Sequence, residues 1–388
     1  MKIVDVSGFY SETGGGVRSY VAQKFEAAAR GGHDLTVVAP GVGDGVEERR
    51  GGRIVWLANP AMPFDANYRV FRRRQPVWRV LDSVAPDIVE GSSPWESGEI
   101  VGAWPGRAAR ALVFHQDFVA GYPYTALDRW LSRPSIDTLF APYWRRVRRL
   151  SRRFDVTIAG GDWLARRLSG FGVHNPMAVP FGVEANQFSP KRRDPDLRRT
   201  LLTLCGAPPS GRLFIAVGRF HPEKRHRTII EGFALARRRR PDLALVLVGD
   251  GLTRKTVERL AARAGGVHLL GAVGDRDHLA RLYASADALV HGSGAETYGL
   301  VIAEAMASGL PVVAPDVGGA ADLAARGPSQ IYATGDAEAC AAAILDMAAP
   351  PLESAPREAV APHRIETHFE TLFDLYSTII LAKSNILD

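Results

Sequence analysis

Short apolar runs alternate with helix-like stretches along the whole chain. In the first half, the apolar runs are IVDV at 3–6, LTVVAP at 35–40, IVWL at 54–57, DIVEG at 87–91 and ALVFHQ at 111–116. In the second half, they are LFIAVG at 213–218, LALVLVG at 243–249, VHLLG at 267–271, ALVHG at 288–292 and PVVAP at 311–315. Continuous apolar strands of this kind are buried on both faces, as in parallel sheets covered by helices. The pattern predicts two blocks of alternating strands and helices.

A charged, proline-containing passage at 184–210 separates the two blocks and is the candidate linker. The 388 residues of the chain are too many for one ordinary domain and enough for two. We therefore expect an α/β chain with two doubly wound domains, at 1–185 and 186–363, whose ligands bind at the carboxyl ends of the strands. Apolar residues at helical spacing predict a final helix within 364–388.

Composition limits the class of protein. Hydrophobic residues make up 46% of the chain and charged residues 23%, which is typical of soluble globular proteins. No apolar run is long enough to span a membrane, and the chain opens on a strand rather than on a signal peptide. Cys205 and Cys340 are too few and too far apart for a disulfide framework or a CxxC metal site. We expect a cytoplasmic protein.

The net charge of +6 and the pI near 9.4 indicate an anionic partner. Charge alone does not choose among a nucleotide, a nucleic acid and an acidic membrane surface. The arginine-rich runs at 145–153 and 237–240 lack interleaved aromatic residues at a stacking face. We therefore expect no nucleic acid among the partners, and a basic nucleic-acid binder is the weaker alternative.

A glycine-rich loop follows the first predicted strand. Gly14, Gly15 and Gly16 precede a helical stretch at about 17–30. Glycine lets the backbone approach a phosphate or a sugar closely, and the start of the helix offers free amides and a positive dipole end. A tight turn needed for packing is the alternative. The loop lacks the GxGxxG spacing of dinucleotide-binding dehydrogenases.

Two cations follow the first strand of the second block. Arg219 and Lys224, in the string VGRFHPEK at 217–224, lie on a loop at the carboxyl end of that strand. The planar fork of arginine and the compact charge of lysine suit a diphosphate. A surface loop with an ion pair is the alternative for these residues taken alone.

Two carboxylates flank a predicted strand-to-helix junction. Glu296 stays in the loop, where it can lie beside a sugar, while Glu304 lies one turn into the helix, where it can accept hydrogen bonds from a ribose. The residues expected to contact the phosphates at the helix start are Tyr298, Gly299, Leu300 and Val301. Taken alone, two acids at this spacing are more often solvated or capping carboxylates. Together with Arg219 and Lys224 on the cationic loop at 217–224, they indicate a nucleotide site.

Taken together, these motifs resemble glycosyltransferase family 4, whose members are retaining sugar-nucleotide transferases that act on lipids, polysaccharides and small metabolites. The strings that carry the resemblance are GGG at 14–16, FHQDF at 114–118, VGRFHPEK at 217–224, VGDG at 248–251, ETYGLVIAE at 296–304 and ASGLPVVAPDVGG at 307–319. The resemblance implies the GT-B fold, with two Rossmann-like doubly wound domains facing across a cleft and a final helix that packs back on the first domain.

The resemblance also implies roles on the donor side. Arg219 and Lys224 would neutralise the diphosphate of the donor, and Glu304 would bind the ribose. Glu296 would hold the transferred hexose. The donor is a nucleoside-diphosphate sugar, with GDP-mannose and UDP-hexoses both left open, and no cofactor is expected.

Three further residues of the first domain take roles from the resemblance. His115 would contact the donor sugar near the reacting carbon, and Gly15 and Gly16 would lie by the phosphates and the acceptor. Taken as a lone residue, His115 is more often a core or strand-end histidine.

The chain departs from the family pattern at three places. Arg225 stands where glycine commonly follows the lysine, Gly292 replaces a proline, and Tyr298 replaces a phenylalanine. We expect Arg225 either to add a cation near the phosphates or to point to solvent. No Asp-x-Asp motif with metal-ligand neighbours occurs, and the two cations can supply the neutralisation that Mg²⁺ supplies elsewhere. We therefore expect a metal-independent enzyme.

The segment 128–153 suggests the nature of the acceptor. It interleaves apolar residues with six arginines between 145 and 153, the apolar residues being Trp130, Leu131, Leu139, Phe140, Tyr143, Trp144, Val147 and Leu150. Such a helix can lie at the surface of an anionic membrane, which predicts a peripheral enzyme on the inner face of the cell membrane with a lipid or glycolipid acceptor. The alternatives are an ordinary amphipathic helix, a soluble or polysaccharide acceptor, and a sugar-nucleotide epimerase of the same fold.

Overall fold

The computed structural model describes residues 1–11, 16–62, 65–184, 186–349 and 364–387. The chain forms two compact units. The first comprises Met1–His115, Asp137–Pro180 and Glu366–Asp388, and the second comprises Gln116–Ile136 and Phe181–Ile365. The predicted domain limits at 185/186 and 363/364 stay a prediction.

The first unit is built on an eight-stranded sheet with a small hairpin beside it. Its strands are β1 (Lys2–Val6), β2 (Asp34–Gly41), β3 (Gly45–Arg49), β4 (Gly52–Ala58), β5 (Ala61–Met62), β6 (Asp65–Arg69), β7 (Ile88–Gly91), β8 (Ala109–Phe114), β9 (Val156–Ala159) and β10 (Pro176–Ala178). The strand order is β10-β9-β8-β7-β1-β2-β4-β3, parallel except for the antiparallel pair β3 and β4, while β5 and β6 form the hairpin. The order reverses between β1 and β7, where a doubly wound sheet opens a crevice.

Helices follow most of these strands. Up to residue 170 they are α1 (Gly16–Arg30), α2 (Arg74–Val84), α3 (Glu96–Gly102), α4 (Thr125–Leu127), α5 (Arg133–Leu139), α6 (Ala141–Ser151) and α7 (Asp162–Gly170). A π-helical turn at Ala120–Tyr124, helix α4 and the start of α5 lie within Gln116–Ile136 and so belong to the second unit. Helix α2 shows why they fold: Val77, Leu81 and Val84 recur at helical spacing and are buried, so burial of one apolar face stabilises the helix.

The second unit contains a six-stranded parallel sheet. Its strands are β11 (Arg212–Val217), β12 (Leu243–Val248), β13 (Val267–Gly271), β14 (Ala288–Val290), β15 (Val312–Pro315) and β16 (Ser329–Tyr332). The order β13-β12-β11-β14-β15-β16 reverses between β11 and β14. Ligands of doubly wound sheets bind outside the carboxyl ends of the strands at this point, so the loops after β11 and β14 define the candidate site.

Helices cover both faces of the second sheet. They are α8 (Pro195–Leu204), α9 (His226–Arg239), α10 (Arg254–Ala264), α11 (Arg276–Ser285), α12 (Leu300–Ala307), α13 (Gly319–Ala324) and α14 (Ala337–Ala348). Two large hydrophobic clusters result, one on each side of the strands. The last helix, α15 (Ile365–Leu387), buries Phe369, Leu372, Phe373 and Tyr376, and its residues from Glu366 onward belong to the first unit.

The strand predictions are confirmed, because each predicted apolar run lies on a parallel strand. The linker prediction at 184–210 is wrong in part. Helix α8 forms within it, Asp194 caps that helix by accepting from the amides of Asp196 and Leu197, and Leu201 and Leu202 are buried in the core of the second unit. The high density of charged side chains concealed two apolar positions that are enough to anchor a helix. Among the described residues, no helix is long and apolar enough to cross a membrane.

Candidate active site

The loop after β11 begins with a close approach of two backbones. Gly218 and Gly249, which follow the neighbouring strands β11 and β12, have φ values of 152° and 149°. A Cβ atom on Gly249 would lie 1.9 Å from the carbonyl oxygen of Gly218, so only glycine fits there. This contact directs the loop that carries Arg219 and Lys224 out from the carboxyl end of the sheet.

Lys224 joins the two loops of the candidate site. Its Nζ donates to Glu296 Oε1 at 2.5 Å, and His291 Nε2 lies 3.3 Å from the same oxygen. Burial alone would raise the pKa of Glu296, but the nearby cation of Lys224 holds it well below its ordinary value. Burial would lower the pKa of Lys224, and the charges of Glu296 and Glu223 raise it instead. Both groups are therefore charged at neutral pH.

Glu223 is a carboxylate of the site that the sequence interpretation missed. It is buried, and its Oε1 lies 3.6 Å from Arg219 Nη2 and 3.8 Å from Lys224 Nζ. It therefore offsets part of the positive charge in the absence of a bound anion. Its position next to Lys224 in the string HPEK was the only sequence sign of this role.

Arg219 is the accessible cation of the pair. Its side chain is 71% exposed, and its contact with Glu223 is long enough to be exchanged for another anion. An exposed guanidinium on a loop can rotate towards a phosphate at low cost, because its present ion pair is weak. Arg219 and Lys224 therefore provide one mobile and one fixed positive charge.

The helix predicted near Gly299 begins where expected. Gly299 has a φ of 100° and precedes α12, whose first residue is Leu300. The first turn of the helix has no acidic side chain, so its free amides and positive dipole end remain available to an anion. The Glu296 carbonyl accepts from the amide of Gly319 at 2.7 Å, which fixes the loop that enters the helix.

Glu304 lies in a polar pocket along α12. The hydroxyl of Tyr283 donates to Glu304 Oε2 at 3.2 Å, and Arg276 Nη2 lies 3.8 Å from Glu304 Oε1. Arg276 also pairs with Glu184 at 3.1 Å. Burial raises the pKa of Glu304 to about 7, because the positive charge of Arg276 offsets the desolvation of the carboxylate only in part. Neither Tyr283 nor Arg276 was identified from the sequence.

Tyr298 has a different environment from its neighbours. Its side chain is only 4% exposed and packs in the hydrophobic core beside Phe181. The Tyr298 main chain is the part that can reach a ligand. Leu300 is exposed and Val301 is half-buried, as expected for residues at an open helix end.

A segment from the first half of the sequence packs on the cationic loop. Asp128 forms an ion pair with Arg225, and Gln116 Nε2 lies 3.4 Å from Glu223 Oε2. Arg225 has a φ of 49°, the conformation for which glycine is commonly used. The sequence interpretation had Arg225 near the phosphates or in solvent. The structure pairs it with Asp128 instead, a contact between positions 97 residues apart that no local pattern reveals.

His115 belongs to the first unit, where it directly follows β8. Its ring meets the ring of Tyr20 edge-on, with the centroids 5.3 Å apart. Burial lowers the pKa of His115 to about 4, so the imidazole is neutral at physiological pH. Gly16 is the first residue of α1, while Gly14 and Gly15 lie outside the described residues.

The basic helix α6 differs from its sequence interpretation. Trp144, Val147 and Leu150 are buried, and Trp144 stacks on Phe171 with the ring centroids 3.9 Å apart. Their predicted insertion into a membrane is therefore wrong, because these side chains already fill the core of the first unit. Arg145, Arg148 and Arg149 of α6 are exposed, whereas Arg146 is half-buried and pairs with Glu99 at 3.1 Å. Trp130, Leu131 and Leu139 are exposed elsewhere in the segment.

Over the described ranges, no group of three or more His, Cys, Asp and Glu side chains is arranged to hold a metal ion. The expectation of metal independence stays a prediction.

Known protein families match both halves of the chain. Residues 14–187 match the family described as Glycosyltransferase Family 4, and residues 211–349 match Glycosyl transferases group 1. The chain is 32% identical over 339 residues to a GDP-mannose-dependent alpha-mannosyltransferase of Mycolicibacterium smegmatis, which covers 84% of this chain and 82% of that protein.

A second relative is the GDP-mannose-dependent alpha-(1-6)-phosphatidylinositol dimannoside mannosyltransferase of Mycobacterium tuberculosis, 28% identical over 81% of this chain and 79% of that protein. Among solved structures, sucrose-phosphate synthase from Thermosynechococcus elongatus superimposes with a TM-score of 0.70 at 20% identity, covering 100% of this chain and 98% of that one. The chain therefore belongs to glycosyltransferase family 4, and it is a glycosyltransferase of the GT-B fold that uses a nucleotide sugar as donor.

Proposed function

We propose that this enzyme transfers mannose from GDP-mannose to a membrane lipid or glycolipid, with retention of the anomeric configuration. The observation that carries the donor side is the ion pair of Lys224 and Glu296, which brings the cationic loop after β11 to the loop that starts α12. A diphosphate needs positive charge and free amides together, and these two loops supply both. The mannosyltransferase relatives support GDP-mannose over UDP-hexoses as the donor.

The proposed mechanism follows from where charge develops. As the bond between sugar and diphosphate breaks, negative charge grows on the leaving oxygen. Lys224 and the amides of Leu300 and Val301 stabilise that charge with little reorganisation, since the fold holds them before the reaction. Arg219 adds a second positive charge by exchanging its weak ion pair with Glu223 for the phosphate. Attack by the acceptor on the same face, assisted by the leaving phosphate, gives retention without a carboxylate nucleophile.

The remaining site residues take binding roles in this proposal. Glu296 holds the hexose through the oxygen that Lys224 leaves free, and Glu304 accepts hydrogen bonds from the ribose. His115, neutral at physiological pH, contacts the donor sugar through its uncharged imidazole, and Gly15 and Gly16 contact the phosphates or the acceptor. Tyr298 and Gly299 act through their main chain.

The lipid acceptor has independent support from surface charge. Arg145, Arg148 and Arg149 are exposed on α6 and can interact with anionic lipid, each cation contributing about 1 kcal/mol near such a surface. Because the apolar face of α6 is buried, this attraction is electrostatic and should disappear at high salt. The enzyme would then bind the membrane surface reversibly.

A panel of radiolabelled sugar nucleotides, incubated with a lipid extract and with a polar metabolite extract, tests both halves of the proposal. We expect label from GDP-mannose in the lipid fraction. Label only from a UDP-hexose would overturn the donor, and label only in the polar fraction would leave a soluble or polysaccharide acceptor. Sedimentation with anionic vesicles, comparing wild type with the Arg145→Ser/Arg148→Ser/Arg149→Ser variant, tests the membrane surface separately. Equal recovery of both proteins would contradict it.

A further inference from the structure

We propose that a cavity in the first unit binds a phosphate group carried by the acceptor. This inference rests on the proposed transferase function, because it assigns an acceptor site to a unit that lacks the cationic donor loop. The cavity has a volume of about 550 Å³ and lies between the carboxyl end of β4 and the first turns of α2. Pockets of this size accommodate small ligands or head groups, and the carboxyl edge of a parallel sheet is where they bind.

Three arginines line the cavity. Arg72 and Arg73 lie just before α2, and Arg79 lies within it, on the face that also carries Pro76 and Ser83. Within the described residues, none of these three guanidinium groups forms an ion pair or a side-chain hydrogen bond. All three side chains are exposed, so water solvates them in the free protein, and three cations around one cavity form a concave basic surface that suits an anion.

The single carboxylate of the cavity does not neutralise them. Asp44 also lines the cavity, and its Oδ1 already accepts from the amide of Ala58 at 2.7 Å. Three positive charges and one negative charge leave a net charge of about +2, which matches a phosphate monoester of about −1.5 to −2 at neutral pH. A carboxylate ligand, with one charge, would leave cationic repulsion in place.

The side-chain amide of Asn59, a neutral polar group of the cavity, already forms hydrogen bonds within the protein. Asn59 Nδ2 donates to the carbonyl of Leu57 at 3.0 Å, and Asn59 Oδ1 accepts from the amide of Arg72 at 3.1 Å. Arg69 Nη1 also donates to the carbonyl of Asn59 at 2.7 Å. These bonds hold the chain that enters α2 against the end of β4, so Arg72 and Arg73 project from a fixed backbone, and the ligand-binding capacity of the cavity is largely cationic.

Arg74 supplies a matched control. It is the next residue in the same basic run, but its guanidinium lies over the ring of Trp78, 4.7 Å from the centroid, and it does not line the cavity. Substitution of Arg74 changes the net charge of the protein by the same amount as substitution of Arg72 or Arg79. Any effect specific to the cavity must therefore separate these variants.

Calorimetric titration of the full chain with inorganic phosphate, in saturating GDP, tests the site. GDP occupies the loops after β11 and β14, so the added phosphate cannot bind at Arg219 and Lys224. We expect Arg72→Gln and Arg79→Gln to weaken phosphate binding by roughly 10- to 100-fold, the loss of a charge-assisted hydrogen bond, while Arg74→Gln binds like wild type. All variants should bind GDP equally.

The outcomes separate this proposal from the proposed function. Absence of phosphate binding by wild type, or equal binding by all variants, overturns the cavity assignment. Failure of the protein to bind GDP overturns the donor assignment. The phosphate titration is then run without GDP, and weaker phosphate binding by Arg72→Gln and Arg79→Gln, but not by Arg74→Gln, still supports the cavity site.

A second pair of titrations identifies the source of the phosphate. Glycerol 3-phosphate stands for a soluble ester, and phosphatidylcholine vesicles with and without phosphatidylinositol stand for a lipid head group. If Arg79→Gln selectively weakens vesicle binding, the phosphate belongs to a lipid, and if it selectively weakens binding of glycerol 3-phosphate, the phosphate belongs to a soluble acceptor. Either result supports the site. Equal behaviour of Arg79→Gln and Arg74→Gln towards both probes removes it.

Discussion

Each unit of the protein holds a lysine between two carboxylates, at the same topological position. In the first unit, Lys24 Nζ lies 2.6 Å from Glu90 Oε1 and 3.0 Å from Asp5 Oδ2, and Asp5 and Glu90 are paired residues of β1 and β7. In the second unit, Lys224 meets Glu296 and Glu223 at the ends of β14 and β11. Both clusters lie where the strand order reverses.

The two clusters differ in access to solvent. The Lys24 side chain is 0% exposed, whereas the Lys224 side chain is 20% exposed. Burial alone would lower the pKa of Lys24, and the charges of Asp5 and Glu90 raise it above its ordinary value. A sealed cluster cannot exchange a partner for a ligand, so we expect it to contribute to stability, whereas the proposed function has the open cluster bind a diphosphate. The two units therefore share one sheet topology, but the crevice where the strand order reverses is closed to solvent in the first unit and open in the second.

The largest expected effect comes from breaking the sealed cluster. Lys24→Met should lower the free energy of unfolding by about 3–5 kcal/mol, because it leaves two buried carboxylates without a cation. Urea unfolding followed by circular dichroism measures the loss. Lys224→Met serves as the control and should lose less stability, since the Glu296 side chain is 18% exposed and Arg219 Nη2 still lies 3.6 Å from Glu223 Oε1. A wild-type midpoint for Lys24→Met would show that the cluster is not needed for stability.

Breaking the open cluster should affect turnover instead. Lys224→Met should reduce kcat by about 10²–10³, equivalent to about 2.7–4 kcal/mol, the cost of one preorganised donor to a developing negative charge. Steady-state kinetics with a labelled donor give the value, and Lys255→Met, at an exposed position of α10, is the matched control. An unchanged kcat in a folded Lys224→Met protein would refute the assignment of this lysine.

The ion pair of Arg225 and Asp128 lies next to the open cluster, because Arg225 directly follows Lys224 in the chain. Asp128→Asn should cost about 1.5 kcal/mol of stability, through loss of a charge-assisted hydrogen bond. Arg225→Gly should cost less, since glycine adopts the positive φ at this position without strain and so recovers part of the loss. Differential scanning calorimetry ranks the two variants. If Arg225→Gly is the more damaged protein, the conformation at this residue is not strained.

A smaller effect is expected from titration of Glu304. Its pKa is raised to about 7, so the carboxylate gains charge as the pH rises through that value, and only then accepts fully from a ribose. GDP should therefore bind about tenfold more tightly at about pH 8 than at about pH 6. Calorimetry at both values measures the change, and Glu304→Gln should abolish it while Glu258→Gln, on an exposed helix face, keeps it. Persistence of the pH dependence in Glu304→Gln would assign it to another group.

Metal chelation should leave the rate of turnover unchanged. In the proposed mechanism, Lys224 and Arg219 provide the neutralisation that Mg²⁺ provides in other nucleotide enzymes. Turnover in excess EDTA should equal turnover in added MgCl₂, with a known Mg²⁺-dependent kinase assayed in parallel as the control. Loss of activity in EDTA, restored by Mg²⁺, would mean that the cationic loop alone does not neutralise the donor.

Much of the fold was predictable from local pattern. The apolar runs that identified β11 and β14 are continuous because both faces of each strand are buried, and burial on both faces leaves a signature in neighbouring positions. The start of α12 was also predictable from local pattern, since Gly299 before an apolar run marks the start of a helix. The cations Arg219 and Lys224 could be identified because a loop after a buried parallel strand lies at the ligand-binding edge.

The sequence alone did not predict what these residues contact. Trp144 and Leu150 have the same spacing in a membrane-bound helix as in a helix packed on a core, and only the neighbouring Phe171 shows which surface they meet. The contact of Arg225 with Asp128 is equally invisible in the sequence.

The amino-acid sequence determined the order of strands and helices, the two doubly wound blocks and the charges at the strand ends, because these depend on residues close together in the chain. The tertiary structure decided which charges meet: Lys24 with Glu90 in a sealed interior, Lys224 with Glu296 at an open edge. The free energy of an ion pair depends on its solvent access, and solvent access is set by packing between segments that are far apart in sequence.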